Sequence, residues 1–490
     1  MEKYDLVVIG GGPAGYAGAM RAIDFGKKVL LIEKNKIGGA GIYNGALWSK
    51  TMWEYSQKIS AIRSEIPNYD VKFNDLIKTT NAAVFERKFQ MNCHIKLLKN
   101  EAKKQLLFYE KGFGEIVSEH EVKIIKEGKE KIVFAENILI STGSRPRKLS
   151  NIEIDEKTIM TSDGLTNLKD FPKSMVILGA GVIGCEFATI FSNLGKTKVY
   201  LIDKAPRILP FEDNDVSDMV TSNFEKNGVI IHKNASLVRM EIKDGEVEYE
   251  LSYTDGKNEI IRVEKALISV GRVPNVENIG LESVGIKLNE RGSITDSDTQ
   301  TNVPHIWVAG DLTSEMALVN VGEREARHAV VRMYGPAVKP LTYKNISTIM
   351  FLNPEVAAVG MNEQECSNKG LSVKVAKIDY SCLARPIAMR KTTGFFKMIV
   401  TNDKHMRILG MRAVGEHASS AIEAVALLIY MNKGIEELGH MLHPHPSITE
   451  GIQECARMLL GKSIYKSSMF KDKLKCYTCE NGICTPLENL

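Results

Sequence analysis

No run of apolar residues in this chain approaches the ~18 that a membrane-spanning helix needs, so no membrane span is expected. Charge of one sign is also scarce. Lys and Arg number 64 against 60 Asp and Glu, a net charge of +4 over 490 residues. The notable basic run near a terminus, Lys471, Lys473 and Lys475, reads as a solvated stretch, and no nucleic-acid partner is expected. A targeting leader is not evident. The apolar residues 6–9 give way at once to glycines and no cleavage-like segment follows, so a cytoplasmic protein is expected. Cysteine is sparse and late: eight residues, none before position 93. Those at 93, 185, 366, 382 and 455 stand alone in sequence and fit reduced core or surface residues.

What is present describes a large globular protein. Hydrophobic residues make up 44% and charged residues 25%, and the length suffices for three or four domains around a sizeable core. Residues 4–9 (YDLVVI) read as a buried parallel strand. Gly10, Gly12 and Gly15 follow at the spacing of a dinucleotide-binding turn. The first permits the tight turn, the second lets backbone approach a pyrophosphate, and the third lets the helix pack close to the strand. The helix N-terminus then offers unpaired N–H groups to phosphate. Residues 28–32 form a second strand that ends in Glu33, where a carboxylate can accept hydrogen bonds from ribose hydroxyls. The pattern recurs at residues 175–178, Gly179, Gly181 and Gly184, then residues 199–202 and Asp203. Strand, glycines, helix, strand and acid in register, twice over, make a far stronger signal than a lone glycine motif. Asp203 favours NAD(H), because a carboxylate repels a 2′-phosphate; Lys204 and Arg207 can offset this, so NADP(H) remains open. Residues 52–130 suit a helix followed by a small antiparallel section.

The stretch from Gly38 and Gly39 through Gly41 and Ala46 to Lys50 resembles the redox-active segment of the flavoprotein disulfide reductases, the class I pyridine nucleotide-disulfide oxidoreductases. That family carries Gly-Gly-Thr-Cys, four residues, a second Cys and a basic residue soon after. Here Gly41 and Ala46 stand where the thiols should be, while the glycines and Lys50 remain. Residues 135–146 (AENILISTGSRP), with Thr142 and Gly143, resemble the segment by which the family's chain leaves its first domain. Gly271, Arg272, Pro274 and Asn275 match its Gly-Arg-x-Pro-Asn turn. Residues 301–311 (TNVPHIWVAGD) match its second flavin motif, which would set Gly310 and Asp311 against the ribityl chain. Residues 341–465 resemble its dimerisation domain, with strands over 395–400 and 408–414 and a helix over 419–430. Within the family, residues 179–187 and Leu383-Ala384-Arg385 look most like soluble pyridine nucleotide transhydrogenase.

The resemblance implies an α/β fold with two Rossmann-like dinucleotide-binding domains and a C-terminal α+β dimerisation domain. The expected divisions are 1–150 (FAD binding), 151–272 (NAD(P) binding), 273–342 (a second FAD-contacting segment), 343–465 (dimerisation, giving a homodimer) and 466–490, a tail with Cys476, Cys479 and Cys484. FAD and NAD(H) are the expected cofactors. Lys50 and Glu186 match a pair beside the flavin on the nicotinamide side. His445 and Glu450 match an acid–base pair, which reads either as a proton donor or as a retained structural hydrogen bond. No resident metal is expected. For the tail, a redox pair, a metal site and no catalytic role all stay open; three cysteines alone fall one ligand short of a closed zinc site.

The function expected is an FAD-dependent NAD(P)H oxidoreductase with a non-disulfide acceptor: a nicotinamide nucleotide, a quinone or an electron carrier. The alternatives are a dihydrolipoamide dehydrogenase-like disulfide reductase using the C-terminal cysteines, and a non-catalytic FAD/NAD-binding sensor.

Overall fold

The computed structural model describes residues 1–100, 105–313, 315–466 and 469–487. The chain divides into two compact units, residues 1–171 with 268–341, and residues 172–267 with 342–490. Among the described residues, no helix is long and apolar enough to cross a membrane.

The first unit is built on a seven-stranded sheet. Leu107–Lys111, Val29–Glu33, Glu2–Ile9, Lys129–Ile140 and Ile306–Val308 lie side by side, each parallel to its neighbour. The antiparallel strands Glu121–Lys126 and Phe113–Ser118 extend it beyond Lys129–Ile140. Val29–Glu33 is buried throughout, as an apolar strand covered on both faces must be. One face packs on helix Pro13–Asp24, which starts with Pro at its first turn, where no amide hydrogen is missed. Its buried residues Ala14, Gly15, Gly18, Ala19 and Ala22 form a stripe of small side chains, and this lets helix Val319–Tyr334 come close: a methyl added at Gly18 would lie 3.3 Å from the Ala326 methyl. Helices Ala46–Glu65 and Phe73–Lys99 fill the interval in which one helix is expected.

The second unit repeats the nucleotide-binding plan. Ile230–His232, Lys198–Ile202 and Ser174–Leu178 are parallel neighbours, with helix Val182–Leu194 after the glycine turn. The chain then builds a seven-stranded antiparallel sheet, ordered Ser347–Met350, Val356–Gly360, Ile408–Val414, Phe395–Thr401, Val373–Asp379, Leu474–Glu480 and Ile483–Pro486. Helix Glu450–Leu459 covers it, with Ile452, Cys455, Ala456 and Leu459 joining the core formed by Ala376, Ile378, Phe396 and Met398.

Two expectations are corrected here. The helix expected over 419–430 is two pieces, Ala418–Ala421 and Glu423–Tyr430, interrupted at Ile422. Glu355 lies against Ser419 in the first turn of the first piece, where backbone amides have no intrahelical partner. The solvated reading of the tail holds for the exposed Lys471, Lys473 and Lys475 but not for the whole of it: two of its segments are sheet strands, and Cys479 and Cys484 face each other across them. Residues 467, 468 and 488–490 of the expected tail lie outside the described residues.

The candidate cofactor and proton-transfer site

In the first unit the C-terminal ends of the parallel strands carry most of the predicted residues to one edge of the sheet, where α/β folds bind ligands. Gly10 has φ +107° and its α-carbon leaves no room for a side chain, since a methyl there would lie 2.3 Å from the Ser141 carbonyl oxygen. At Gly15 a methyl would meet the Gly10 carbonyl oxygen at 1.9 Å and Ser141 Oγ at 2.4 Å. At Gly12, by contrast, a methyl would find nothing within 4 Å. The turn is closed where the protein packs and open at the start of the helix, where a pyrophosphate would bind. Glu33 is buried, and its carboxylate accepts the Gly11 amide at 2.8 Å and the Asn35 amide at 2.7 Å. The amide of Gly38 donates to the Gly11 carbonyl at 2.7 Å, so Gly38 and Gly39 lie against the same turn.

Beyond Gly39 the chain makes a short helical segment, Gly39–Ile42, before helix Ala46–Glu65 begins. Asn44 donates to Asp163 at 2.7 Å, and Trp48 is buried. Burial raises the Asp163 carboxyl above the usual carboxylate range. A side chain at Gly41 would start 2.6 Å from Pro13 Cγ. Ala46 opens the helix that carries Lys50, which is half-buried.

The remaining predicted residues of this unit are linked by hydrogen bonds. Thr142 Oγ1 donates to the Asn275 carbonyl at 2.6 Å, and Asn275 returns a bond to the Thr142 carbonyl at 3.0 Å, with Gly143 accepting the Asn275 amide. Arg272, directly after Gly271, donates from Nε to Ser144 Oγ at 2.7 Å, and the Ser144 hydroxyl donates to Asp311. The Gly310 amide donates to Glu325 at 2.7 Å. Sequence reading missed Ser144 and Glu325. The signal for Glu325 was available: it falls in the buried stripe Val321, Gly322, Glu325, Ala326 and Ala329, where a carboxylate must bond to something. Ser144 carried no such signal.

The second unit shows the same device. Asp203 accepts the Ala180 amide and the Ala205 amide, each at 2.8 Å, which holds the acid against its glycine turn. Gly179 has φ +103°, a methyl at Gly181 would find nothing within 4 Å, and Gly184 is buried in the helix. Arg207 binds the Pro210 carbonyl at 2.9 Å and the Asn214 side chain, while Lys204 is exposed. Arg207 is thus engaged within its own loop, while Asp203 stays against the turn. Asp203→Ser is expected to raise the NADPH to NADH ratio of kcat/KM about tenfold, measured by steady-state assay with each nucleotide.

Glu186 is buried in helix Val182–Leu194 and accepts the Phe351 amide at 3.2 Å, so it is not a surface residue. Lys50 lies in the first unit and Glu186 in the second, and each is described within its own. His445 Nδ1 lies 2.8 Å from Glu450 Oε1, and the Ser447 amide donates to the other oxygen at 3.0 Å. Burial would raise the Glu450 carboxyl, but these bonds prevail and hold it below the usual range. The His445 side chain keeps 71% of its exposure. Neighbouring His443 is half-buried, and burial pushes its imidazole below the ordinary value. Of the two, His445 has both the carboxylate partner and the exposed ring.

Each unit thus offers an open turn at a helix N-terminus with an acid beside it, the arrangement a dinucleotide needs. Comparison with known proteins agrees. Residues 4–326 match the sequence profile of the pyridine nucleotide-disulphide oxidoreductases, and residues 346–456 that of their dimerisation domain. The chain is 30% identical to a dihydrolipoyl dehydrogenase of Chlamydia muridarum, covering 95% of this chain and 98% of that one. It is 31% identical to dihydrolipoyl dehydrogenase 3 of Haloarcula marismortui, over 94% and 98%. Among solved structures, LpdA from Mycobacterium tuberculosis aligns with a TM-score of 0.85 at 25% identity, covering 94% of this chain and 100% of that one. The HOCl-induced flavoprotein disulfide reductase RclA from Escherichia coli aligns with a TM-score of 0.81 at 27% identity, over 93% and 100%.

Proposed function

The chain belongs to the pyridine nucleotide-disulphide oxidoreductases, FAD-dependent enzymes that use NAD(P)H, and we propose that it passes electrons from NADH through FAD to an acceptor other than a disulfide. The observation that carries this reading is the absence of any cysteine before position 93. Gly41 and Ala46 cannot form a mixed disulfide with a substrate, and the crowding of Gly41 against Pro13 fits a backbone adapted to the lack of a side chain there.

FAD, when bound, would supply the two-electron chemistry between NADH and the acceptor. The chain's own residues bind and orient. Gly10, Gly12 and Gly15 with the start of helix Pro13–Asp24 would receive the FAD pyrophosphate, Glu33 the ribose, and Asp311, held by Ser144, the ribityl hydroxyls. Gly38, Gly39, Thr142, Gly143, Gly271, Arg272 and Gly310 shape that cradle. Gly179, Gly181, Gly184 and Asp203 receive NAD(H). Lys50 in the first unit and Glu186 in the second are the residues assigned to nicotinamide positioning, and His445, held by Glu450, would deliver a proton to the acceptor. The enzyme acts as a homodimer through residues 343–465. Quinones, a second nicotinamide nucleotide and electron carriers fit this reading.

A second reading has its own support. The relatives named dihydrolipoyl dehydrogenase favour disulfide chemistry, and they back that reading better than the first. In this chain it would have to use the Cys479–Cys484 disulfide. One experiment separates the two. The protein is mixed anaerobically with NADH and the flavin band is followed as quinone, lipoamide or a nicotinamide analogue is added. We expect bleaching by NADH, recovery with quinone, and lipoamide turnover at least ~100-fold slower. Cys479→Ser with Cys484→Ser should retain quinone turnover. Lipoamide reduction at comparable rates, lost in the double variant, would establish the second reading instead.

A further inference from the structure

The tail hairpin places more than a disulfide at the sheet edge. Cys479 and Cys484 are directly opposed across the strands Leu474–Glu480 and Ile483–Pro486, with α-carbons 4.1 Å apart. The carboxylate of Glu363, at the start of helix Glu363–Asn368, lies with both sulfurs in a group whose ligand atoms all fall within 4.8 Å of one another. Glu363 is itself held in place. Tyr477 donates to its Oε1 at 2.8 Å, and the buried Lys397 ammonium lies 2.9 Å from the same oxygen. Cys484 is exposed, which gives reductants and ions a route in. Cys476, on the opposite face of its strand, is buried in the main core of the C-terminal sheet and takes no part.

We propose that, once the disulfide is reduced, Cys479, Cys484 and Glu363 form a binding site for a thiophilic divalent cation such as Zn²⁺ or Cd²⁺. The tail then carries a cation in its reduced form and a disulfide in its oxidised form. An external dithiol supplies the two electrons and two protons that open the S–S bond, and is itself oxidised to a disulfide. The two new thiols release those protons as the sulfur–metal bonds form. Two thiolates and a carboxylate supply three protein ligands, the number found where zinc keeps a fourth position for water. With bonds of about 2.3 Å to sulfur and 2.0–2.2 Å to oxygen, the two sulfurs must separate to roughly 3.8 Å once the bond between them is opened, a movement their side-chain rotations can supply. The carboxylate stands as the third protein ligand where Cys476, turned to the other face, cannot. The buried ammonium of Lys397 partly offsets the negative charge gathered there.

The test uses the full-length flavoprotein. It is reduced with excess dithiol, desalted under anaerobic conditions and titrated with Cd²⁺ while difference absorbance follows the thiolate-to-metal band. One equivalent per chain is expected to bind, and the oxidised protein should show no band. Cys484→Ser, at an exposed position, should abolish the band. Glu363→Gln should keep thiolate absorption but weaken affinity at least ~10-fold. No band in the reduced protein, an unchanged titration in Cys484→Ser, or unchanged affinity in Glu363→Gln would each overturn the proposal. If Glu363→Gln does not fold, X-ray absorption of the reduced, Zn²⁺-loaded wild type decides. Two sulfurs with oxygen neighbours support the site, and three or four sulfurs refute it.

Discussion

Gly15→Val is expected to purify colourless, with less than about a tenth of the flavin of the wild type bound. The reason is steric. Even the first carbon of a side chain at position 15 would lie 1.9 Å from the Gly10 carbonyl oxygen and 2.4 Å from Ser141 Oγ. Both belong to the floor of the turn: Ser141 is bonded through its hydroxyl to the carbonyls of Ile9 and Gly10. The helix must therefore back away from the strand, and its amides no longer aim where a pyrophosphate would sit. Gly12→Ala makes an informative comparison. Its added methyl meets no protein atom within 4 Å, so folding should be untouched while flavin affinity falls. Flavin content by absorbance, with circular dichroism to check folding, reads both variants. A yellow Gly15→Val protein with normal FAD content would show that this turn does not hold the flavin.

Lys397→Met is expected to lower stability by roughly 3–5 kcal/mol, the usual cost of removing one partner from a buried ion cluster. Lys397 is 1% exposed and lies 2.6 Å from Asp213, 2.7 Å from Asp215 and 2.9 Å from Glu363. Without it, among the described residues, Lys377, 2.7 Å from Asp215, is the cation left paired with these carboxylates. The pH dependence supplies a signature. Burial would raise the Asp215 carboxyl, but Lys397 and Lys377 overcome this and hold it below its ordinary value. In the wild type Asp215 therefore contributes stability that is present above the unfolded carboxylate pKa and is lost as pH falls through the lowered one. Removing Lys397 takes away one of the two cations that hold the Asp215 carboxyl down, so the variant should lose least at pH 5 and most at pH 8. Adding Asp215→Asn should recover part of the loss. Denaturant midpoints at the two pH values measure this, and a deficit that is equal at both would point to lost packing instead of unbalanced charge.

The two nucleotide-binding halves were legible because their signals are local. A glycine turn, the strand before it and the acid about twenty residues on lie within one βαβ unit, and Gly10 to Glu33 and Gly179 to Asp203 fold into the expected turns. The same holds for the His445–Glu450 pair, which a short stretch of chain brings together. What the sequence concealed depends on partners far apart in the chain. Nothing near Lys397 announces that Asp213 and Asp215 will neutralise it, about 180 residues earlier. Lys471, Lys473 and Lys475 suggest a solvated tail and are indeed exposed, yet they lie along a strand of the sheet or directly before it. Its alternation places Leu474 and Cys476 on one face and Cys479 on the other, both faces covered, but a strand that pairs with a segment about a hundred residues away leaves no local trace of that partner. Ser144 is a third case: its role follows from an arginine and an aspartate that only the folded chain brings to it.

The bonds from Glu33 and Asp203 to their own glycine turns have a consequence for how tightly a dinucleotide is held. A glycine-rich loop without such anchors samples many conformations, and a ligand must suppress them on arrival, at about 1–2 kcal/mol for each residue ordered. Here the Gly11 and Ala180 amides are fixed by carboxylates that belong to the protein. That ordering happens when the chain folds, so association loses less entropy, and part of the affinity comes from rigidity established before any ligand is present.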